Sequence, residues 1–302
     1  MNTSYWLALT FTPGIGSVTA RKLIDRFGDI ESIFAASPEE IASIPRISLS
    51  IAQGLLSTPI EQLEAELLSL NVEGIDVLTW DDDQYPANLI ALKDAPCVLF
   101  FRGAILPADH QAVGIVGTRQ PSERAADFAQ TLGRELAERG LTVISGLAEG
   151  VDTSAHRGAL TSPKGRTIAV LGSGIRVIHP QSNTQLAEQI VPQGALLSEL
   201  HPNTPPRGPQ LMARDRIISG LSRAVIVVEA DVKSGSLDTA ARAKKQKRPV
   251  YAIPGSSGTD DLLKEDARQI LPDRINFDIL AEEILNSPVR NTNSSPTQGR
   301  LF

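Results

Sequence analysis

Three arginines stand where a protein would put groups that hold an anion. Arg119 closes the run Gly117-Thr118-Arg119 directly after the apolar stretch 112–116, and Arg214 and Arg216 flank Asp215 shortly before the apolar stretch 224–229. A guanidinium is planar, forked and permanently charged, so it grips a phosphate through parallel hydrogen bonds and can also lie flat on a base. Arg166 immediately precedes a further apolar run, 167–171, which places it on the opposite edge of whatever those runs build. Small residues follow the apolar runs: Ser145-Gly146, Gly172-Ser173-Gly174, Ser234-Gly235-Ser236 and Pro254-Gly255-Ser256. Together with Gly117 and Thr118 they offer hydroxyl and backbone N–H donors, a floor that suits anions. A single Arg is equally well a surface ion pair; the grouping of Arg119 and Arg214 near the ends of apolar runs favours a phosphate.

Enzymatic signatures are missing from the sequence. It contains no G-x-x-x-x-G-K-[ST], no H-E-x-x-H, no cysteine pair and no G-x-S-x-G, and the loop after residue 116 lacks the second and third glycines of a dinucleotide site. No cofactor and no metal are therefore expected, and no catalytic residue is assigned. Asp152 and His156 stand one helical turn apart, but Asp152 reads as a helix cap and His156 as a packed residue. One alternative stays open. Pro254-Gly255-Ser256-Ser257-Gly258-Thr259-Asp260 resembles the P-G-G-x-G-T-x-x-E loop of the lysine-decarboxylase-like phosphoribohydrolases, without the second glycine or the catalytic Glu.

The composition narrows the field. The 302 residues carry 29 Lys and Arg against 35 Asp and Glu, a net charge of -6, which argues against coating duplex DNA by bulk electrostatics and leaves room for a local basic pocket. The basic run 242–248 and the acidic runs 81–83 and 260–261 read as solvated faces. A hydrophobic fraction of 41% with 4% aromatics suits an aliphatic α/β core. Cys97 is the only cysteine, and no apolar run reaches a membrane span or signal-peptide pattern, so a cytoplasmic protein without a membrane partner is expected.

These residues need elements to position them. From about 111 to 260 apolar strands alternate with helical periodicity, which predicts an extended Rossmann-like domain over 111–285 with a mainly parallel sheet and ligands outside the carboxyl ends of its strands. Residues 1–58 read as a small all-α domain: 10–28 has the form of a helix-hairpin-helix around Pro13-Gly14-Ile15-Gly16, and 41–56 a degenerate copy in which Arg46 and Ser48 replace glycines. Residues 59–110 read as a connecting segment, with a helix over 59–70 and strands over 74–80 and 97–103 docked on the Rossmann-like domain. The stretch 286–302, rich in Ser, Asn, Thr and Pro, is predicted to be a disordered tail.

The runs G-I-V-G-T-R (114–119), S-G-L-A-E-G-V-D-T-S-A-H-R-G-A-L (145–160), T-I-A-V-L-G-S-G (167–174), R-I-I-S-G-L-S-R-A-V-I-V-V-E-A (216–230) and V-Y-A-I-P-G (250–255) resemble, in order and spacing, the DprA/Smf family of DNA-processing proteins. The resemblance implies a non-enzymatic protein that binds single-stranded DNA without sequence preference, loads the recombinase RecA in natural transformation, and forms a homodimer. It assigns Gly117, Thr118, Arg119, Arg166, Arg214 and Arg216 to the DNA-binding site, to which Ser145, Gly146, Ser234, Gly235 and Ser236 are added by their place after apolar runs. The sequence departs from the family's R-N-R motif, whose Asn is Asp215 here, and from the preceding Phe, which is Leu211; segment 259–272 is more acidic than usual, and the winged helix of many members is replaced by a linker. Finally, Gln298, Leu301 and Phe302 resemble the Q-x-x-L-F peptide by which bacterial proteins dock on the DNA polymerase sliding clamp, which implies that further partner.

Overall fold

A computed structural model describes residues 2–287. Six helices come first: α1 (Thr3–Phe11), α2 (Ser17–Phe27), α3 (Ile30–Ala35), α4 (Pro38–Ala42), α5 (Leu49–Leu56) and α6 (Ile60–Val72). Their hairpins turn on Gly14, at φ 93°, and on Arg46, at φ 81°. A side chain thus takes the left-handed conformation that glycine adopts freely, which is why the second hairpin is hard to see in the sequence. Ser48 compensates as a cap, accepting the Ile51 N–H. The helical unit is clamped to the segment after it: Trp6 Nε1 donates to Asp81 at 2.6 Å, and the Arg21 guanidinium lies 4.4 Å from the Trp80 ring centre.

The chain then builds one nine-stranded sheet. Strands β1 (Ile75–Thr79) and β2 (Val98–Gly103), with the short α7 (Ala87–Ile90) between them, are followed by β3 (Ala112–Val116), α8 (Glu123–Glu138), β4 (Thr142–Ser145), α9 (Val151–Thr161), β5 (Thr167–Val170), α10 (Thr184–Ile190) and β6 (Gly194–Ser198). Next come α11 (Gly208–Ala213), α12 (Asp215–Leu221), β7 (Ala224–Val227), α13 (Ser236–Lys245), β8 (Val250–Ala252), α14 (Ser257–Glu265), β9 (Arg268–Gln269) and α15 (Phe277–Leu285). The order across the sheet is β1-β2-β6-β5-β4-β3-β7-β8-β9; the β1–β2 and β2–β6 pairings are antiparallel and the rest are parallel. The connecting segment therefore does more than dock: its strands extend the sheet itself.

Continuous apolar runs form the central strands because both faces are covered. All residues of β3, β4, β5 and β7 are buried. One face packs on α8, α9 and α15 through Leu132, Leu136, Ala155 and Ile284, and another core joins Ile217, Ile218 and Ala240 of α12 and α13 to Val225 and Val227. Among the described residues no helix is long and apolar enough to cross a membrane.

Candidate nucleic-acid interface

From β3 the chain winds through β4, β5 and β6 to one side, then returns to lay β7 against the other side of β3. The strand order reverses between β3 and β7, and in open α/β sheets the crevice outside the carboxyl ends at such a point is where ligands bind. A cleft of about 580 Å³ lies there, walled by Gly117–Gln120 after β3 and by Asp231 and Lys233–Ser236 after β7. Arg119 and Lys233 are exposed on its rim, and neither is ion-paired among the described residues. Gly235 and Ser236 open α13, and their N–H groups take no partner among the described residues. The Ser234 and Ser236 hydroxyls are 2.8 Å apart.

Beneath the rim lies a buried charge cluster. Arg214 is 8% exposed; its Nη1 donates to the carbonyls of Gly146 and Val170, and its Nε is 3.5 Å from the Asp215 carboxylate. Gly146 lets this guanidinium approach closely: a Cβ there would meet it and make the Arg214 side chain shift. Asp152 accepts the N–H groups of Gly146, at 3.0 Å, and Ala148. One guanidinium thus serves two carboxylates. Burial pushes Asp152 above its ordinary 3.8 against the pull of Arg214. Burial likewise pushes Asp215 up to about 7, opposed by Arg214 and reinforced by Asp152 and Asp238.

His156 lies in the core and not in the cleft. The Thr167 hydroxyl donates to the Val143 carbonyl, so its oxygen accepts from His156 Nδ1 at 2.7 Å. Burial, and then Arg214, hold the imidazole neutral with its pKa lowered to about 3. Asp152 and His156 have separate partners and do not form an acid–base pair.

The residues expected at the site separate into three groups. Gly117, Thr118, Arg119, Ser234, Gly235 and Ser236 line the cleft with Arg214. Ser145 supports it from below, fully buried, with its hydroxyl on the Ile115 carbonyl, while Gly146 lines a smaller adjoining pocket. Arg166 and Arg216 are not brought to the cleft. Arg166 sits at the amino end of β5, gripping Asp109 through two bonds of 2.9 Å, and Arg216 holds Glu199 through bonds of 2.8 and 2.6 Å.

The expected floor of free donors also needs correction, because tight loops must satisfy their own polar groups. Thr118 N–H donates to the Glu229 carbonyl, Gly174 N–H to Thr204, Gly255 N–H to the Asp260 carboxylate and Gly258 N–H to Ala230. The loop resembling the phosphoribohydrolase motif is thus closed on itself, with Thr259 fully buried. Sequence reasoning missed Lys233, whose only signal was its place beside Ser234-Gly235-Ser236. It also missed Glu229, whose carboxylate takes the N–H and hydroxyl of Ser122 and so ties the loop after β3 to β7.

Fold and cleft together define a class: Rossmann-like α/β proteins with a polar crevice at the topological switch point. The chain belongs to the DNA recombination-mediator protein A family, whose model matches residues 76–280, and a SAM-like helix-hairpin-helix tandem model matches residues 7–58. Protein Smf of Synechocystis is 37% identical over 84% of this chain, a match that spans 65% of that relative's length. DNA processing protein DprA of Bacillus subtilis is 38% identical over 73% of this chain and 77% of its own. The crystal structure of Streptococcus pneumoniae DprA superposes with a TM-score of 0.78 at 32% identity, covering 88% of this chain and 94% of that one. DNA processing protein A of Helicobacter pylori, reported for its single-stranded DNA binding mode, superposes with a TM-score of 0.61 at 33% identity, covering 69% of this chain and 95% of its own.

Proposed function

We propose that this chain binds single-stranded DNA in the switch-point cleft and acts as a recombination mediator, presenting the strand to RecA from a homodimer. The observation that carries the DNA reading is the arrangement of charge. Arg119 and Lys233 are unpaired among the described residues on the rim, while Arg214 below them is committed to two carbonyls and the Asp215 carboxylate. Such a rim holds a sugar-phosphate chain without reading bases. Family membership and the DNA binding mode reported for the Helicobacter pylori relative support it. The proposed clamp-docking residues Gln298, Leu301 and Phe302 lie outside the described residues.

Fluorescence anisotropy of labelled oligo-dT, single-stranded and duplex, at two salt concentrations tests the assignment. Wild type is expected to prefer the single strand. Arg119→Ala should weaken binding to every sequence alike and flatten the salt dependence, because a phosphate contact is lost. Arg216→Ala, which breaks the partly buried ion pair with Glu199, should instead lower the melting temperature and leave the salt slope alone. Unchanged affinity in Arg119→Ala would overturn the site.

A further inference from the structure

A second cavity, of about 420 Å³, lies at the other end of the sheet from the cleft. Ile144 of β4 and Ile168 of β5 form its floor, and Leu221 at the end of α12, the loop before α7 and the turn Pro107–His110 form its walls. His110 precedes β3, Leu221 precedes β7, and Ile105 follows β2, which runs antiparallel to β6, so the cavity opens at the amino ends of the parallel strands. We propose that it is a binding site for a small organic cation, an apolar body that ends in a protonated amine or amidine. The site stands apart from the DNA-binding reading and does not depend on it.

The walls are held open by hydrogen bonds. Asn88 Nδ2 donates to the His110 carbonyl at 2.8 Å and to the Leu221 carbonyl at 2.9 Å, which ties α7 to both neighbouring segments. Asp109 takes Arg166 through both oxygens, together with the Thr142 hydroxyl at 2.8 Å and the Leu106 N–H at 2.7 Å. The Tyr85 hydroxyl is spent on the Pro96 carbonyl at 2.6 Å. The floor residues Ile144 and Ile168 and the wall residue Leu221 are buried and apolar, so they give water no hydrogen-bond partner. Protein interiors are close-packed, and a braced apolar space within the roughly 300–1,000 Å³ of ligand sites suits the body of a small molecule.

The polar groups left over in the lining decide the head group. His110 Nδ1 lies 2.7 Å from the Pro107 carbonyl, which can only accept, so Nδ1 carries the hydrogen and Nε2 of the neutral ring is an acceptor, without a partner among the described residues. The Asp83 carboxylate is exposed and takes no hydrogen bond or ion pair among the described residues. Arg166 meets the charge of Asp109, which leaves Asp83 as the unbalanced charge of the lining. One further cation stands behind the wall: Arg248, 3% exposed, donates to the Asn88 carbonyl at 3.1 Å and does not line the cavity. A cationic donor therefore finds two acceptors at the cavity, whereas an anion would face Asp83 and find only the Gln84 amide to donate to it.

Phenylbutylamine and phenylbutyrate share an apolar body and differ in the charge of the head, so the test titrates the full chain with each and follows its amide chemical shifts. Wild type should bind the amine saturably and about fivefold or more tightly than the carboxylate. Asp83→Lys, at an exposed position, should reverse that order. Ala87→Trp places a ring at an exposed residue of the lining and should weaken the amine about tenfold or more, with the melting temperature unchanged. Equal binding of the two probes by wild type, a preference that survives Asp83→Lys, an amine affinity that survives Ala87→Trp, or no saturable binding below about 10 mM overturns the site. Oligo-dT affinity should be the same in all three proteins; a wild type that binds the amine and no DNA overturns the cleft and leaves this site standing.

Discussion

At the scale of the residue, the cleft's affinity depends on a balance between exposed and buried charge. Arg119 and Lys233 are unpaired among the described residues at the rim, whereas Asp215 lies below them, 6% exposed, facing Arg214 on its own segment, Asp152 on α9, and Asp238 and Arg242, paired with each other, on α13. With a folded pKa of about 7 against an ordinary 3.8, Asp215 holds its proton more tightly in the folded chain than in the unfolded one. Its contribution to stability is therefore greatest below about pH 4 and is lost as pH rises through 7, an effect on the order of a few kcal/mol. Protonation also removes one negative charge from beneath the rim proposed to hold phosphate. Asp215→Asn should then melt higher than wild type at pH 8, with the difference narrowing as pH falls below 7 and closing near pH 4. It should bind oligo-dT more tightly at pH 8 and lose most of the tightening that wild type shows between pH 8 and pH 6. An identical pH profile in the two proteins would mean that Asp215 does not titrate beneath the strand.

At the scale of the element, α8 and α9 position the loops after β3 and β4, and they do so by unusually close contact. A Cβ on Gly158 would overlap the Gln130 carbonyl of α8, and one on Gly133 would overlap the Ala155 carbonyl of α9. Gly158→Ala must force the helices apart and is expected to cost about 1–3 kcal/mol, read as a lower melting temperature with oligo-dT affinity of the folded protein unchanged within twofold. A melting temperature equal to wild type would show that the crossing yields freely. The same elements show what the sequence could reveal. The central strands were legible as continuous apolar runs because β3 to β8 are covered on both faces, and the small residues after them correctly pointed to the carboxyl ends. Gly133 in α8 and Gly158 in α9 carry no such signal, because their reason lies on the neighbouring helix. Arg166 and Arg216 looked like phosphate ligands because Asp109, 57 residues from Arg166, and Glu199, 17 from Arg216, become their partners only through the sheet. Local chemistry identified the guanidiniums; topology decided which of them remain free.

At the scale of the whole molecule, a net charge of -6 has to be reconciled with a polyanionic ligand. A protein that attracts DNA over its whole surface makes many phosphate contacts and shows a steep salt dependence. On the proposed reading the counterion-releasing groups are those of the switch-point rim, where Arg119 and Lys233 are the exposed cations lining the cleft. For single strands the logarithm of affinity falls with that of salt at about 0.7 per phosphate neutralised, so two contacts predict a slope near -1.4 for a short oligo-dT that occupies one protomer. Lys233→Ala and Arg119→Ala should each reduce the slope by about 0.7, and the double variant should be nearly flat. Anisotropy titrations between about 50 and 200 mM salt measure this directly. A slope steeper than about -3 that Lys233→Ala leaves unchanged would place the phosphate contacts outside the cleft. With few cations in contact, the net charge of -6 disfavours broad adsorption to duplex DNA.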